Sequence, residues 1–255
     1  MLEVTPIPVL SDNYTWLIHQ PQSSGAIVVD PGDATPVAHA LDSLDLHLTA
    51  ILITHHHGDH VAGVGGLLAD ALPVYGPADS NIPHLTHPLR AGDRVAPGGL
   101  GISLEVLAVP GHTLDHIAYL GDGMLFAGDA LFAGGCGRMF EGTPEPMQRY
   151  LAELRDLAPD TDIYCGHEYT QANLEFAKRV EPENEALEKR LERVREQRRR
   201  GAITVPSTIE DERATNPFMR WDSHAVIRHA TEHAGRPLEG PADVFAVLRD
   251  WKDHF

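Results

Sequence analysis

The run Leu48–Thr54 (LTAILIT) constrains this chain more than any other segment. It is continuously apolar rather than alternating, which suits a strand buried on both faces of a sheet layered with helices. Shorter runs repeat the theme. Leu2–Val9, Thr15–His19 and Ala26–Asp30 read as strands separated by turn residues, as do Ile102–Val109 and His116–Leu120. Gly121-Asp122-Gly123 reads as a hairpin turn into Met124–Ala127, and Asp162–Cys165 as one more short strand. Thr35-Pro36 offers an N-cap with proline at the first helical position, opening a helix to about Leu44. A Gly-containing helix is expected over Val61–Ala71, and another from Thr143-Pro144 to about Ala158. Strands alternating with helices predict an α/β fold.

After about Tyr169 no strong strand appears. Asn184–Arg200 (NEALEKRLERVREQRRR) is rich in helix formers, with Leu187, Leu191 and Val194 as an apolar stripe and Gly201 as a stop. Glu185–Lys189 and Glu196–Arg200 are favourable i,i+4 pairs. Arg198–Arg200 read as a solvated helix end rather than a phosphate patch. Two domains are therefore expected, 1–172 α/β and 173–255 mainly helical.

The apolar run leads directly into Thr54-His55-His56-His57-Gly58-Asp59-His60. His55 and His57 are two apart, so an extended chain projects both to one side, with His56 turned away as a non-ligand. Asp59 and His60 fall at the start of the next helix, where the N-terminal dipole favours a carboxylate and a neutral imidazole. Both are the forms a divalent cation requires. Three further strands end in glycine and then present one ligand-type residue: His112 in VPGHT, Asp129 in FAGD, His167 in YCGH. Alone, each is an ordinary turn residue. Together, four strand ends deliver five His and two Asp to the side where α/β proteins bind ligands. Seven donors exceed one tetrahedral zinc, so two metals are expected. The donors are imidazole and carboxylate, with no thiolate, which suits Zn, Fe or Mn. Zinc is the first choice, with iron or a mixed Zn/Fe pair as the alternative.

The formal net charge of -17 argues against nucleic acid as a partner. Two cysteines, Cys136 and Cys165, rule out a disulfide scaffold, and no apolar stretch reaches membrane-spanning length. No secretion signal is read at the start. A cytoplasmic monomer without membrane or nucleic-acid partners is the expectation.

These motifs resemble the metallo-β-lactamase superfamily, whose hallmark is His-x-His-x-Asp-His with later His, Asp and His ligands. Within it the chain is similar to glyoxalase II, the hydroxyacylglutathione hydrolases, almost end to end. The likeness runs through SDNY at 11–14, THHHGDH, PGHT, GDALFAGGCGRMFEGT at 128–143, YCGHEYT at 164–170, Pro206-Ser207-Thr208 and NPFMR at 216–220. It implies an αββα four-layer sandwich with a small mainly helical C-terminal domain. It implies His55, His57 and His112 on one metal, Asp59, His60 and His167 on the other, and Asp129 bridging. It also implies hydrolysis of S-D-lactoylglutathione to D-lactate and glutathione, with glutathione contacts at Arg138, Tyr169 and Arg220. Two departures stand out. Phe140 lies where the family often has tyrosine, and Trp221-Asp222-Ser223-His224 contains no lysine after Arg220.

The expected nucleophile is a hydroxide bridging the two metals, generated because metal binding lowers a water's pKa towards about 7. A thiol of pKa near 8.5 departs as thiolate, so no strong general acid is required. Asp30, ending a strand, is a candidate to orient a ligand imidazole. Cys136 reads as packed rather than nucleophilic. The rival readings are a lactone or β-lactam hydrolase of the same superfamily, an iron-dependent persulfide dioxygenase, a flavin-linked di-iron enzyme, and a metal-binding protein without activity.

Overall fold

In the computed structural model, which describes residues 2–69 and 71–255, the first three strands are β1 (Glu3–Val9), β2 (Asn13–His19) and β3 (Gly25–Val29). They pair antiparallel in chain order. Helix α1 (Ala34–Ser43) then carries the chain to β4 (His47–Leu52), which lies parallel to β3. The cap of α1 is Asp33, whose carboxylate accepts from Thr35 N at 2.9 Å, two residues before the expected Thr35. An aspartate at that place satisfies an orphan helix N–H as well as a threonine does.

The helix expected over Val61–Ala71 is broken into α2 (Gly58–Val61) and α3 (Val64–Leu67); Asp70, within that expectation, lies outside the described residues. The glycines explain the break. A Cβ on Gly63 would sit 2.6 Å from the Pro31 carbonyl oxygen, and one on Gly66 2.7 Å from Ala34 Cβ. The segment is shaped by the close approach of the turn before α1, not by helix propensity.

Strands β5 (Val74–Pro77) and β6 (His87–Leu89) extend the sheet in parallel to six strands. Both faces of its centre are buried, as the apolar run predicts. Leu17, Val28, Ile51 and Ile53 pack with Val37 and Leu41 of α1. On the opposite face Ile18, Ile27, Val29 and Leu52 are equally buried. A second antiparallel ladder comprises β7 (Arg94–Val95), β8 (Leu104–Ala108), β9 (Ile117–Gly121) and β10 (Met124–Gly128). The β9–β10 hairpin turns at Asp122 and Gly123, both with positive φ (49° and 75°), as a two-residue primed turn requires. The ladder is tied to β4: the Tyr119 hydroxyl donates to the Ile53 carbonyl at 2.8 Å, and Ile117 N to the Thr54 carbonyl at 2.9 Å. These elements belong to a first compact unit, Met1–Ala108 with Asp115–Gly128.

The second unit comprises Val109–Leu114 and Asp129–Phe255. The composition change near residue 172 falls inside it. It contains the short hairpin β11 (Leu131–Phe132) and β12 (Gly135–Cys136), then α4 (Pro144–Arg155) and β13 (Asp162–Cys165). Helices α5 (Thr170–Val180) and α6 (Glu185–Arg199) follow, the latter capped by Asn184. The stripe Leu187, Leu191 and Val194 is buried against Leu174 and Ala177 of α5. Strand β14 (Ser207–Thr208) pairs with β13 and was not legible beforehand. Helices α7 (Ile209–Thr215), α8 (His224–Ala234) and α9 (Pro241–Asp253) follow.

One polar network holds this unit together. Arg190 of α6 donates to Glu212 of α7 at 2.7 Å, and also to Ser207 and Thr215. The other Glu212 oxygen accepts from Gly134 N and Asn216 Nδ2, each at 2.8 Å. Asn216 also donates to the Gly135 carbonyl at 3.0 Å. Arg190 is 4 % exposed and Glu212 0 %, so the ion pair is buried with its hydrogen-bonding capacity used. Among the described residues no helix is long and apolar enough to cross a membrane.

Candidate metal centre

The first unit carries His55, His57, Asp59 and His60, and the second His112, Asp129 and His167. All four in the first unit follow β4 within eight residues. His55 and His60 are buried, while His57 and Asp59 are partly exposed. Their rings cluster: His55 lies 4.8 Å from His57 and 4.2 Å from His60, centroid to centroid. Asp59 accepts a hydrogen bond from Asn13 Nδ2 at 2.9 Å, which accounts for the early SDNY segment. A Cβ on Gly32 would fall 2.1 Å from the Asp59 carbonyl oxygen, so the Asp30-Pro31-Gly32 turn can lie against this loop only with glycine there. His56 pairs with Asp115 at 2.9 Å, and its ring lies edge-on to that of His57 at 5.2 Å.

Asp30 orients two of these rings. It adopts a left-handed backbone (φ 52°), which aspartate tolerates better than most residues. Its Oδ1 accepts from Thr54 N at 2.8 Å, and its Oδ2 from Thr54 Oγ1 at 2.7 Å and His60 Nδ1 at 3.0 Å. Because Thr54 spends its only hydroxyl proton on Asp30, its contact with His55 Nδ1 at 3.0 Å makes that nitrogen the donor. Both His55 and His60 therefore carry the proton on Nδ1 and leave the Nε2 lone pair available to a cation. Asp30, His55 and His60 have ligand atoms within 4.8 Å of one another, but both Asp30 oxygens are already committed. Asp30 thus holds Thr54 and His60 through both oxygens. Asp30→Asn is expected to weaken metal binding about 10–100-fold, as loss of such outer partners typically does. A competition titration against a chromogenic chelator measures this; unchanged affinity would remove the role assigned to Asp30.

In the second unit, His112 donates Nδ1–H to the Arg138 carbonyl at 2.9 Å, which again presents Nε2. That Nε2 lies 3.3 Å from Asp129 Oδ2, and His167 Nε2 lies 3.3 Å from the same oxygen. Two imidazole nitrogens thus converge on one carboxylate oxygen. A cation, proton or metal ion, has to sit among such groups. The donor set fits a divalent metal in number, type and tautomer. Gly137 makes the convergence feasible, because a Cβ there would meet the Asp129 carbonyl oxygen at 2.0 Å and His112 Nδ1 at 3.0 Å. This is the physical content of the GCGR segment.

Tyr169 stacks on His167 (4.6 Å, 7°) and remains 37 % exposed. Phe140 is 61 % exposed with its ring edge-on to His112 at 5.2 Å. The exposed Arg138 donates to Asp253 at 3.2 Å. Arg220 is committed elsewhere in this unit: it grips both oxygens of buried Glu181 at 2.7 and 3.0 Å and donates to the Arg213 carbonyl. Sequence reasoning missed two cations on α9. Arg249 donates to the same Asp253 oxygen as Arg138, at 2.9 Å, and to the Cys136 carbonyl at 2.9 Å. Lys252 sits over the rings of Phe176 and Phe255, and burial, then Arg249, pull its pKa down. Their i,i+3 spacing on an amphipathic helix was the available signal. Cys136 and Cys165 are buried, and burial pushes their thiols up to about 11 and about 12, which excludes a thiolate nucleophile near neutral pH.

Residues 10–167 match the metallo-beta-lactamase superfamily, and residues 168–255 match the hydroxyacylglutathione hydrolase C-terminus. The chain is 54% identical over 254 residues to a hydroxyacylglutathione hydrolase of Alkalilimnicola ehrlichii, covering 99% of both chains. It is 48% identical to one of Halorhodospira halophila, again over 99% of both. Among solved structures it is similar to ETHE1 from Myxococcus xanthus (TM-score 0.65, 25% identity, 99% of this chain and 98% of that one). It is also similar to TTHA1623 in a di-iron-bound form (TM-score 0.59, 27% identity, 84% and 99%). The chain has the α/β metallo-β-lactamase fold with a helical C-terminal part, and it belongs to the hydroxyacylglutathione hydrolases, a family of thioester-hydrolysing enzymes.

Proposed function

We propose that this chain hydrolyses S-D-lactoylglutathione to D-lactate and glutathione, using two divalent cations held by His55, His57, Asp59, His60, His112, Asp129 and His167. The observation that carries the reading is the common presentation of Nε2 by His55, His60 and His112, each fixed through Nδ1. His55, His57 and His112 would hold one cation and Asp59, His60 and His167 the other, with Asp129 shared. When bound, the cations supply an acidified water and positive charge where the oxyanion develops. The solved relative in a di-iron form supports two ions rather than one. Zinc is proposed as the metal on the strength of the imidazole and carboxylate donors.

The chain's own residues orient and hold the substrate. Asp30 and Thr54 lock the imidazoles, and Asp59 is kept in place by Asn13. Arg138 and Tyr169 meet the thiol carrier. Arg249 and Lys252 supply the cations that the segment after Arg220 lacks, so the glutathione carboxylates are held by α9. Arg220 would act through the Glu181 ion pair, as a brace behind the substrate surface. Residues 1–172 supply the chemistry and part of the carrier contact, and 173–255 the rest of the carrier specificity. The enzyme is proposed to work as a cytoplasmic monomer; its two buried free cysteines suit a reducing compartment.

Thiol release from S-D-lactoylglutathione, with metal content determined on the same sample, tests this. About two metals per chain and turnover lost with chelator are expected. Two metals with no thiol release would discard the substrate. Lys252→Ala is expected to raise KM about tenfold with kcat little changed, the signature of lost ground-state binding.

A further inference from the structure

His116 has no place in the ligand set or in the substrate contacts, yet it is buried at 1 % exposure against His55. Its ring lies parallel to that of His55, 4.5 Å between centroids and 14° between planes. Its Nδ1 contacts the Ile117 carbonyl at 3.0 Å, and Ile117 N in turn donates to the Thr54 carbonyl at 2.9 Å. The loop bearing His116 is therefore fastened to the residue that sets the His55 tautomer. Gly128 abuts both His116 and Thr54. A Cβ there would reach Thr54 Oγ1 at 2.4 Å and His116 Cε1 at 2.9 Å. Gly128 also holds a positive φ of 49°, so the position rejects a side chain on two grounds.

We infer that His116 is a positioning residue for the metal ligand His55, fixing the plane of its imidazole by face-to-face stacking. The inference rests on the metal-centre reading above. Asp30 and Thr54 hold one atom of the His55 ring, Nδ1. Nδ1 adjoins the ring's own attachment at Cγ, so that hydrogen bond fixes one edge of the imidazole, and a stacked face resists tilting of the opposite corner, which carries Nε2. The ring face is also the right partner once His55 is metal-bound: the cation withdraws electrons from His55, and an aromatic face attracts an electron-poor ring. The same device recurs in the second unit, where Tyr169 stacks on His167.

The test compares His116→Phe, which keeps a planar ring, with His116→Leu and His116→Gln, which do not. Zinc affinity is read by competition with a chromogenic chelator, and folding by thermal unfolding of the metal-free proteins. His116→Leu or His116→Gln is expected to lose about 10–100-fold in affinity for one of the two ions, the range for outer partners of a metal ligand. His116→Phe should recover most of it at a similar Tm. Either non-ring variant suffices if the other does not fold. Wild-type affinity in a folded non-ring variant overturns the inference, and so does a folded His116→Phe as weak as the non-ring variants. A wild-type protein that binds fewer than two zinc ions would instead overturn the metal-centre reading.

Discussion

Replacing Asp129 by alanine is expected to lower kcat/KM for S-D-lactoylglutathione by about 10³-fold or more, equivalent to ~4 kcal/mol of transition-state stabilisation. The argument is local. One Asp129 oxygen lies 3.3 Å from the Nε2 atoms of both His112 and His167. Its removal takes away a carboxylate oxygen on which both rings converge. Metal per chain should fall in parallel, with far-UV circular dichroism unchanged. Asp129→Asn keeps the shape and removes the charge, so it should resemble alanine in metal content. A folded alanine variant with two metals and more than a tenth of wild-type activity would show that Asp129 is not the shared ligand.

The second large effect is on stability. Glu212→Ala should cost about 3–5 kcal/mol, the range for breaking a buried ion pair by removing one partner. Arg190 would be left 4 % exposed, with its hydroxyl partners but without its carboxylate. Gly134 N would lose its acceptor, and Asn216 Nδ2 one of its two. At about 2–4 °C per kcal/mol for a chain of this size, Tm should drop by roughly 10 °C. Glu212→Gln should fall between, since an amide oxygen can still accept while the arginine charge goes uncompensated. A loss below about 1 kcal/mol for alanine, read from denaturant unfolding, would mean that solvent reaches Arg190.

The two effects differ in how visible they are in the sequence. His55 follows LTAILIT directly, and Asp129 and His167 each follow a short apolar run ending in glycine, so a strand-end argument singles them out as candidate ligands without coordinates. The buried strand LTAILIT gives the layered sheet for the same reason. Asp30 was legible as a turn residue, but not the left-handed backbone that aims it at Thr54 and His60. His116 was read only as the start of a strand, because a single histidine between Asp115 and Ile117 carries no periodic signal. Its meaning is a ring contact with a residue 61 positions away. Arg249 and Lys252 were missed because cations in the last turns of a helix read as ordinary dipole complements. The break in Val61–Ala71 was hidden for another reason: local propensity permits a helix there, and only the neighbouring turn forbids it.

The hairpin of residues 131–136 is held from two directions: by Glu212 and Asn216 at Gly134 and Gly135, and by Arg249 at Cys136. This divides the cations near the site by how freely they can be varied. Arg138 makes only an exposed contact, and a library that re-aims the enzyme toward another acyl carrier can sample it at little cost to the scaffold, whereas Lys252 also packs over Phe176 and Phe255. Arg249 is different, because the recognition proposed for it is joined to an architectural contact at Cys136. Diversifying it would loosen the hairpin that follows Asp129, so evolvability toward new thiols runs through its neighbours and stops at Arg249.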